Sequence, residues 1–189
     1  MHAALILLVS SSFAIEPWGR PCGTVYNPIG VPDRRSLAQL EALVTSRFGD
    51  GRRSYRPGHL HAGIDLRTDW GAAIHAICPG QVVDIHLAFP HLTVVVEHHT
   101  PAGEVFWSSY KHVADLQVAV GDDVEEITPL ARAFRADELP RAGWKTNHLH
   151  FELRTSIEDD GTASFTSMSM DELTRYARDP LPFFEGELE

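Results

Sequence analysis

The clearest hydrophobic pattern in the chain is a strict alternation of polar and apolar residues in the segment Asn-His-Leu-His-Phe-Glu-Leu-Arg at 147–154. A period of two predicts a β-strand with one face in a core and the other in water. The alternation places His148 and His150 on the same polar face, about 6–7 Å apart. Two neighbouring histidines on a rigid strand can bind a metal, act as acid and base, or do one of each.

Shorter runs of apolar and β-branched residues predict further strands, most of them bounded by Gly or Pro turns. A tight turn at Pro79-Gly80 and a hairpin turn at 100–103 are expected between them. On the strand that returns from the hairpin, the alternation predicts that Ser108, Tyr110 and His112 share a face. The expected strands cover residues 71–76, 79–85, 92–98, 105–110 and 130–134. This pattern predicts a mainly β fold, a small antiparallel β-sheet domain with short flanking helices.

Two segments carry signals of a helix start. Ser36, with Gln39 three residues later, predicts a capped helix whose apolar stripe continues to an end at Gly49. Ser169 and Glu172 form a similar pair and predict a short helix over 169–177, stopped by Asp179-Pro180. The segment 135–146 has no period and contains two helix breakers, so we expect a loop there.

The first residues indicate export. An apolar run over 3–9 precedes small residues that would allow cleavage after Ala14, although no Lys or Arg precedes the run. The run is too short for a transmembrane helix, which needs about 20 apolar residues, so we expect no stable membrane insertion. The predicted organisation is a signal peptide at 1–14, an arm and helix at 15–47, and the main folded domain at 48–189. The predicted location is the periplasm or the extracellular space.

Length and composition limit the fold size and the classes of binding partner. A length of 189 residues suits one folded unit with a real core. The net charge of −10 argues against nucleic acid as the main partner. Cys22 and Cys78 are the two cysteines, and sequence leaves open whether they form a disulfide or remain buried thiols. The eleven histidines invite a search for metal ligands.

A second histidine segment lies at 59–66, where an extended or turning path would bring His61 and Asp65 to the same side. Taken alone, the two could be a hydrogen-bonded surface pair. Together with His150 they offer two imidazoles and a carboxylate, a ligand set typical of catalytic zinc, which keeps its fourth position for water. His148 and His112 would then be spare imidazoles suited to moving a proton or stabilising an oxyanion.

Five stretches, in this order, resemble the LytM/lysostaphin-type zinc endopeptidases that cut peptidoglycan peptides. They are Phe48-Gly49 with Arg52, His-Ala-Gly-Ile-Asp at 61–65, the strand-turn region at 71–83, Tyr-Lys-His at 110–112 with Gly-Asp-Asp-Val at 121–124, and the strand at 147–154. The resemblance covers about residues 48–154. It implies the small antiparallel β fold, with the metal in a groove between loops.

The resemblance also implies the chemistry. Zinc would lie on His61, Asp65 and His150, with catalytic roles for His148 and His112, and the substrate would be peptidoglycan cross-links or stem peptides. The segment from Arg132 to Lys145 is longer and more charged than the Gly-rich segment usual there, which leaves substrate preference open. The competing interpretations are a non-catalytic relative that binds a partner through the same groove, and a peptidase acting on a secreted protein. The remaining histidines from 59 to 99 are expected to be surface or core residues.

Overall fold

Antiparallel β-strands dominate the computed structural model, which describes residues 20–53, 56–142, 146–157 and 166–189. The predicted antiparallel β fold is confirmed. The expected signal peptide at 1–14 lies outside the described residues. Among the residues that are described, no helix has the length and apolar composition needed to cross a membrane.

The larger sheet has eight strands, which are β1 (Val44–Ser46), β2 (Ile64–Arg67), β4 (Gly80–His86), β5 (Thr93–His99), β6 (Val105–Lys111), β8 (Asp123–Val124), β10 (His148–Arg154) and β11 (Ala177–Arg178). Their order is β1-β2-β10-β6-β5-β4-β8, with β11 paired to the end of β10. The smaller sheet has the order β3-β9-β7 and contains β3 (Ala73–His75), β7 (Val113–Ala114) and β9 (Pro129–Ala133). The predicted strands all occur, with bounds shifted by at most two residues.

The two faces of the larger sheet differ in polarity, as the alternation in β10 predicts. One face carries Leu66, Tyr110, Leu149 and Phe151, all buried in a hydrophobic cluster shared with the smaller sheet. The opposite face carries the polar residues of β10, which lie beside Asp65 of β2 and Lys111 of β6. Packing against the core therefore fixes the strands through their apolar face, and the candidate site residues lie on the opposite, polar face.

Gly63 allows β2 to lie against β10. A Cβ atom at this position would lie 2.0 Å from the Phe151 carbonyl oxygen and 3.0 Å from the Cγ of Glu152. Real Cβ atoms do not come as close to a backbone oxygen as 2.0 Å, so only glycine fits here. This close approach occurs between His61 and Asp65 in the sequence, and it sets how near both residues come to β10.

The first predicted helix is shorter than expected. Ser36 caps α1 (Leu37–Glu41), and its side chain accepts a hydrogen bond from the Gln39 backbone N–H, as predicted. The extension to Gly49 is wrong, because Val44 pairs with Leu66 as the first residue of strand β1. Pairing at the edge of β2 satisfies the backbone of this β-branched segment better than a marginal helix does.

Two further helices occur where the sequence predicted none, one in the segment 135–146 and one beginning at Pro180. The segment 135–146 contains a helical turn, α2 (Leu139–Ala142). Its start is fixed by Glu138, whose carboxylate accepts hydrogen bonds from the Arg132 guanidinium and the Arg135 backbone N–H. Asp179-Pro180 does follow α3 (Met170–Tyr176), but it also begins α4 (Pro180–Glu187), with Asp179 as the N-cap. Proline suits the first turn of a helix, where its missing N–H is not needed.

The arm that precedes α1 packs on the body of the domain. Val25 and Ile29 are buried in the main core cluster, and Ile29 bridges to Ile74 of β3. Cys22 forms a disulfide with Cys78, which resolves the question that the sequence left open. The arm, both sheets and α4 therefore share one hydrophobic core.

Candidate metal centre and active site

Strand pairing brings the candidate ligands together. In the antiparallel register of β2 and β10, His150 lies opposite Asp65 and His148 lies opposite Arg67. Residues opposite each other in such a pair project from the same face, with Cβ atoms about 5 Å apart. His61 precedes β2, and its backbone is held by hydrogen bonds to Gly49 and Asp50. The three side chains that the sequence singles out therefore converge from two segments.

The ligand atoms of these three residues face one another. His61 Nε2 lies 2.7 Å from His150 Nδ1. Asp65 Oδ1 lies 3.0 Å from each of these nitrogens. All three side chains are buried. In the part of the chain that the structure describes, this is the one group of three or more His, Cys, Asp or Glu side chains close enough to share a metal ion.

The far nitrogen of each imidazole is held by a hydrogen-bond acceptor. His61 Nδ1 donates to the carbonyl oxygen of Arg47 over 2.8 Å. His150 Nε2 donates to Glu152 Oε1 over 2.7 Å. A neutral imidazole that donates from one nitrogen carries a lone pair on the other. Two lone pairs and a carboxylate oxygen thus point at a common centre, an arrangement that a bound cation stabilises and that fits Zn2+.

Glu152 and Arg154 continue this chain of contacts below His150. The Arg154 Nε donates to Glu152 Oε2 over 2.7 Å, and both residues are about 1% exposed. Burial opposes ionisation of Glu152, but the Arg154 charge and the hydrogen bond from His150 hold the pKa of Glu152 well below its usual range. The result is an ionised carboxylate directly behind the imidazole of His150.

Asp65 is an ionised carboxylate as well. Burial alone would raise its pKa, but the contacts with the imidazoles of His150 and His61 outweigh that effect and hold the pKa of Asp65 well below its usual range. The second oxygen of Asp65 accepts a hydrogen bond of 2.6 Å from the Arg52 guanidinium. Arg52 therefore fixes the orientation of the carboxylate, so that Oδ1 faces the two imidazoles.

His112 and His148 lie beside this centre. The two rings meet edge-on with their centroids 5.0 Å apart, and the His112 ring lies 5.9 Å from that of His150. His112 donates from Nδ1 to the Pro90 carbonyl over 3.0 Å, and His148 donates from Nδ1 to the Thr146 carbonyl over 3.1 Å. In each ring the proton acceptor is therefore Nε2. Burial, reinforced for His112 by the neighbouring histidines, lowers the pKa of both imidazoles and favours their neutral forms.

The prediction that His112 shares a face with Ser108 and Tyr110 is wrong. Ser108 donates to the Tyr110 hydroxyl within the core, whereas His112 lies on the other side with His148 and His150. His112 follows the end of β6 and has a φ of 70°, in the left-handed region that breaks the alternation of a strand. This backbone conformation turns the imidazole from the core face to the polar face.

Several neighbours of the site are not predicted from the sequence. Glu152 and Arg154 share the polar face of β10 with the histidines. Arg52 belongs to the predicted lead-in segment but contacts Asp65, and the His91 ring lies 5.3 Å from that of His112. His98, by contrast, is a satisfied core residue as expected, because its ring contacts the Pro79 carbonyl and the Ser108 hydroxyl.

Comparison with known proteins identifies the family. The profile of peptidase family M23 matches residues 59–163, more than half of the chain. The chain belongs to peptidase family M23. The match includes all five residues of the candidate site, from His61 to His150. Among curated proteins, none matches the sequence.

The fold of this chain is similar to those of several solved peptidase structures. The catalytic domain of the antimicrobial peptidase lysostaphin from Staphylococcus simulans is similar with a TM-score of 0.55 and 21% identity, covering 80% of this chain and 98% of that one. Whole lysostaphin gives a TM-score of 0.57 with 22% identity. The match covers 81% of this chain and 54% of lysostaphin, so this chain spans about half of the length of lysostaphin. LytU gives a TM-score of 0.53 with 26% identity, covering 76% of this chain and 85% of that one. The chain thus has the lysostaphin-like fold.

Proposed function

We propose that this M23 peptidase is a zinc metalloendopeptidase that hydrolyses peptide bonds of peptidoglycan, in cross-links or stem peptides. The observation that carries the proposal is the convergence of two imidazole lone pairs and one carboxylate oxygen on a single point. His61, Asp65 and His150 would hold the zinc ion. A bound Zn2+ lowers the pKa of a coordinated water from about 15.7 to about 7 and polarises the attacked carbonyl.

The two neighbouring histidines would handle protons. Hydrolysis adds a hydroxyl to the carbonyl carbon of the peptide and a proton to the leaving amine. Nε2 of His112 and of His148 is the accepting nitrogen in each ring, so either ring can take the proton that the attacking water loses. Once protonated, the same nitrogen can donate to the leaving amine or to the oxyanion. The carbonyls of Pro90 and Thr146 keep both rings in this orientation.

Two features support peptidoglycan as the substrate and export as the route to it. The chain shares its fold with lysostaphin, an antimicrobial peptidase. The Cys22–Cys78 disulfide suits an oxidising compartment outside the cytoplasm. We therefore propose that residues 1–14 act as a signal peptide and that the protein works in the periplasm or outside the cell. The mass of the N-terminal peptide recovered from the exported protein tests this.

The test of the function is release of soluble muropeptides from purified peptidoglycan by the full chain. We expect release by the zinc-loaded protein, loss with a chelator, and recovery when zinc is added back. The variant His150→Ala should lose both bound zinc and activity. The variant His112→Ala should keep zinc but release muropeptides roughly 100- to 10,000-fold more slowly, because it lacks a proton-transfer group.

The matched control is His99→Ala on β5, a histidine whose partner is Glu97 at the sheet surface. It should bind zinc and release muropeptides as the unaltered chain does. Zinc binding without release would instead favour the non-catalytic module or a peptidase for a secreted protein. Release that persists without zinc would overturn the metal mechanism.

A further inference from the structure

Arg67 lies directly beside the candidate catalytic group. It is the last residue of β2, two residues after Asp65, so the two side chains project from the same face of the strand. In the pairing of β2 with β10, Arg67 lies opposite His148. The side chains of such a pair are neighbours, with Cβ atoms about 5 Å apart. The side chain of Arg67 therefore extends from the edge of the metal centre.

The side chain of Arg67 is exposed, whereas the other residues of β2 are buried. Arg52, on the other side of Asp65, is already engaged by that carboxylate. Within the described ranges, by contrast, no carboxylate lies within 4.0 Å of the Arg67 guanidinium. Arg67 thus carries a positive charge toward solvent in a protein whose net charge is −10. A local cation of this kind offsets the repulsion that an anionic ligand would otherwise meet.

We infer that Arg67 forms a subsite for a free carboxylate of the substrate peptide, close to the bond that is cut. The inference rests on the proposed function and names the substrate class of the same site. Arginine recognises carboxylates through two parallel N–H donors, a geometry that neither lysine nor a neutral side chain reproduces. The substrate class is therefore a stem peptide with a free side carboxylate, rather than a neutral bridge.

The strand spacing locates this carboxylate along the substrate. Asp65 and Arg67 are about 6.8 Å apart along β2, since a strand rises about 3.4 Å per residue. An extended substrate peptide has the same rise. The residue that carries the carboxylate would then lie within one or two residues of the scissile bond.

Binding measurements on a matched pair of ligands test the inference. The ligands are a cross-linked stem-peptide dimer with free side carboxylates and the same dimer with those carboxylates converted to primary amides. Calorimetric titration would use the full, zinc-loaded chain with His112→Ala, so that hydrolysis of either ligand during the titration is slowed. We expect the carboxylate dimer to bind roughly 10- to 100-fold more tightly, the range for a charge-assisted hydrogen bond.

The variant Arg67→Gln should remove this preference while binding the amidated dimer unchanged. Arg67→Lys should retain part of it, because the charge remains but the paired donors are lost. The matched control is Arg178→Gln, an exposed arginine opposite Leu153 at the far end of β10, which should keep the full preference.

The outcomes separate this inference from the proposed function. A preference that survives Arg67→Gln, equal binding of the two dimers, or binding of neither would overturn the carboxylate subsite. Muropeptide release by the unaltered chain depends on the metal centre and is measured separately. If the chain releases no muropeptides but Arg67 still selects the carboxylate dimer, the subsite stands and the peptidase function fails.

Discussion

At the scale of single residues, hydrogen bonds decide which nitrogen of each imidazole faces the centre. A backbone carbonyl holds His61 and a carboxylate holds His150, each at the nitrogen remote from Asp65. The partner of His150 carries a full negative charge, because Arg154 keeps Glu152 ionised. A carboxylate behind a metal-binding histidine fixes the ring and makes its lone pair more basic.

We therefore predict that removing the charge of Glu152 weakens zinc binding. Glu152→Gln alone would leave Arg154 buried without its ionised partner, so the double variant Glu152→Gln/Arg154→Met removes both charges together. Competition with a chelator should give an affinity for zinc about 10- to 100-fold weaker than in the unaltered chain.

Glu104→Gln is the control, since Glu104 lies exposed in the hairpin turn before β6. Circular dichroism would establish that the double variant is folded. Unchanged zinc affinity in a folded double variant would contradict the role assigned to Glu152.

A second residue-scale prediction concerns His98 and pH. Burial lowers the pKa of His98 to about 4, whereas an unfolded histidine has a pKa of about 6.5. Between these values the unfolded state binds more protons, so stability falls as the pH falls. The contribution of His98 to the free energy of unfolding should drop by about 3 kcal/mol from pH 7 to pH 4.

Urea unfolding at a series of pH values, with the unaltered chain and His98→Gln, measures this slope. The variant should show a flatter dependence, while His86→Gln on β4 serves as the control for loss of an imidazole. An NMR titration of the His98 ring gives the midpoint directly. A midpoint near 6.5 would rule the explanation out.

At the scale of elements, the approach of β2 to β10 builds the metal centre. Gly63 lets the two strands pair from Phe151 to His148, which sets Asp65 opposite His150. The end of β6 makes the third contribution, because the left-handed conformation of His112 turns its ring toward the same face. Three segments that are distant in sequence thus meet at the candidate metal centre.

We predict that Gly63→Ala destabilises the protein by about 1–3 kcal/mol or more, because the new methyl group would overlap the Phe151 carbonyl. It should also weaken zinc binding, since β2 carries Asp65. Urea unfolding and zinc titration measure the two effects. Gly186→Ala in α4 is the matched control, where nothing lies within 4 Å of the added Cβ. That control should be neutral or stabilised by up to about 1 kcal/mol, and equal behaviour of the two variants would contradict the steric explanation.

At the scale of the whole molecule, the arm and the sheets share one core, and the disulfide closes the arm onto it. Cys22 and Cys78 are separated by 56 residues in sequence. A cross-link over that length reduces the entropy of the unfolded chain and contributes about 4 kcal/mol in the chain-entropy account. The arm buries Val25 and Ile29 through the same attachment.

We predict that the double variant Cys22→Ala/Cys78→Ala unfolds with a free energy lower by about 2–4 kcal/mol. Urea unfolding with and without a reductant would measure it. The reductant should destabilise the unaltered chain and leave the double variant unaffected. Equal stability of the two proteins under oxidising conditions would mean that the arm is held by packing alone.

The local sequence pattern was sufficient to predict much of the secondary structure. Alternation predicted the strand at 147–154 and the common face of His148 and His150, because the direction of a side chain in a strand follows from its parity. Ser36 and Ser169 were correctly placed as N-caps, because capping depends on residues only three positions apart. The ligand chemistry of the residues, together with the family resemblance, added His61, Asp65 and His112 to the candidate site, and the structure brings these residues together with His148 and His150.

Tertiary structure decided what local pattern could not. Val44 joined a strand rather than a helix because β2 offered it an edge to pair with. His112 left the core face because of a backbone conformation that no spacing reveals. The disulfide, the ionised pair behind His150 and the position of Arg67 beside His148 all depend on segments that meet only after folding. The sequence by itself determined which groups the chain possesses and which face each strand presents, whereas the pairing of distant strands determined which of those groups can act together.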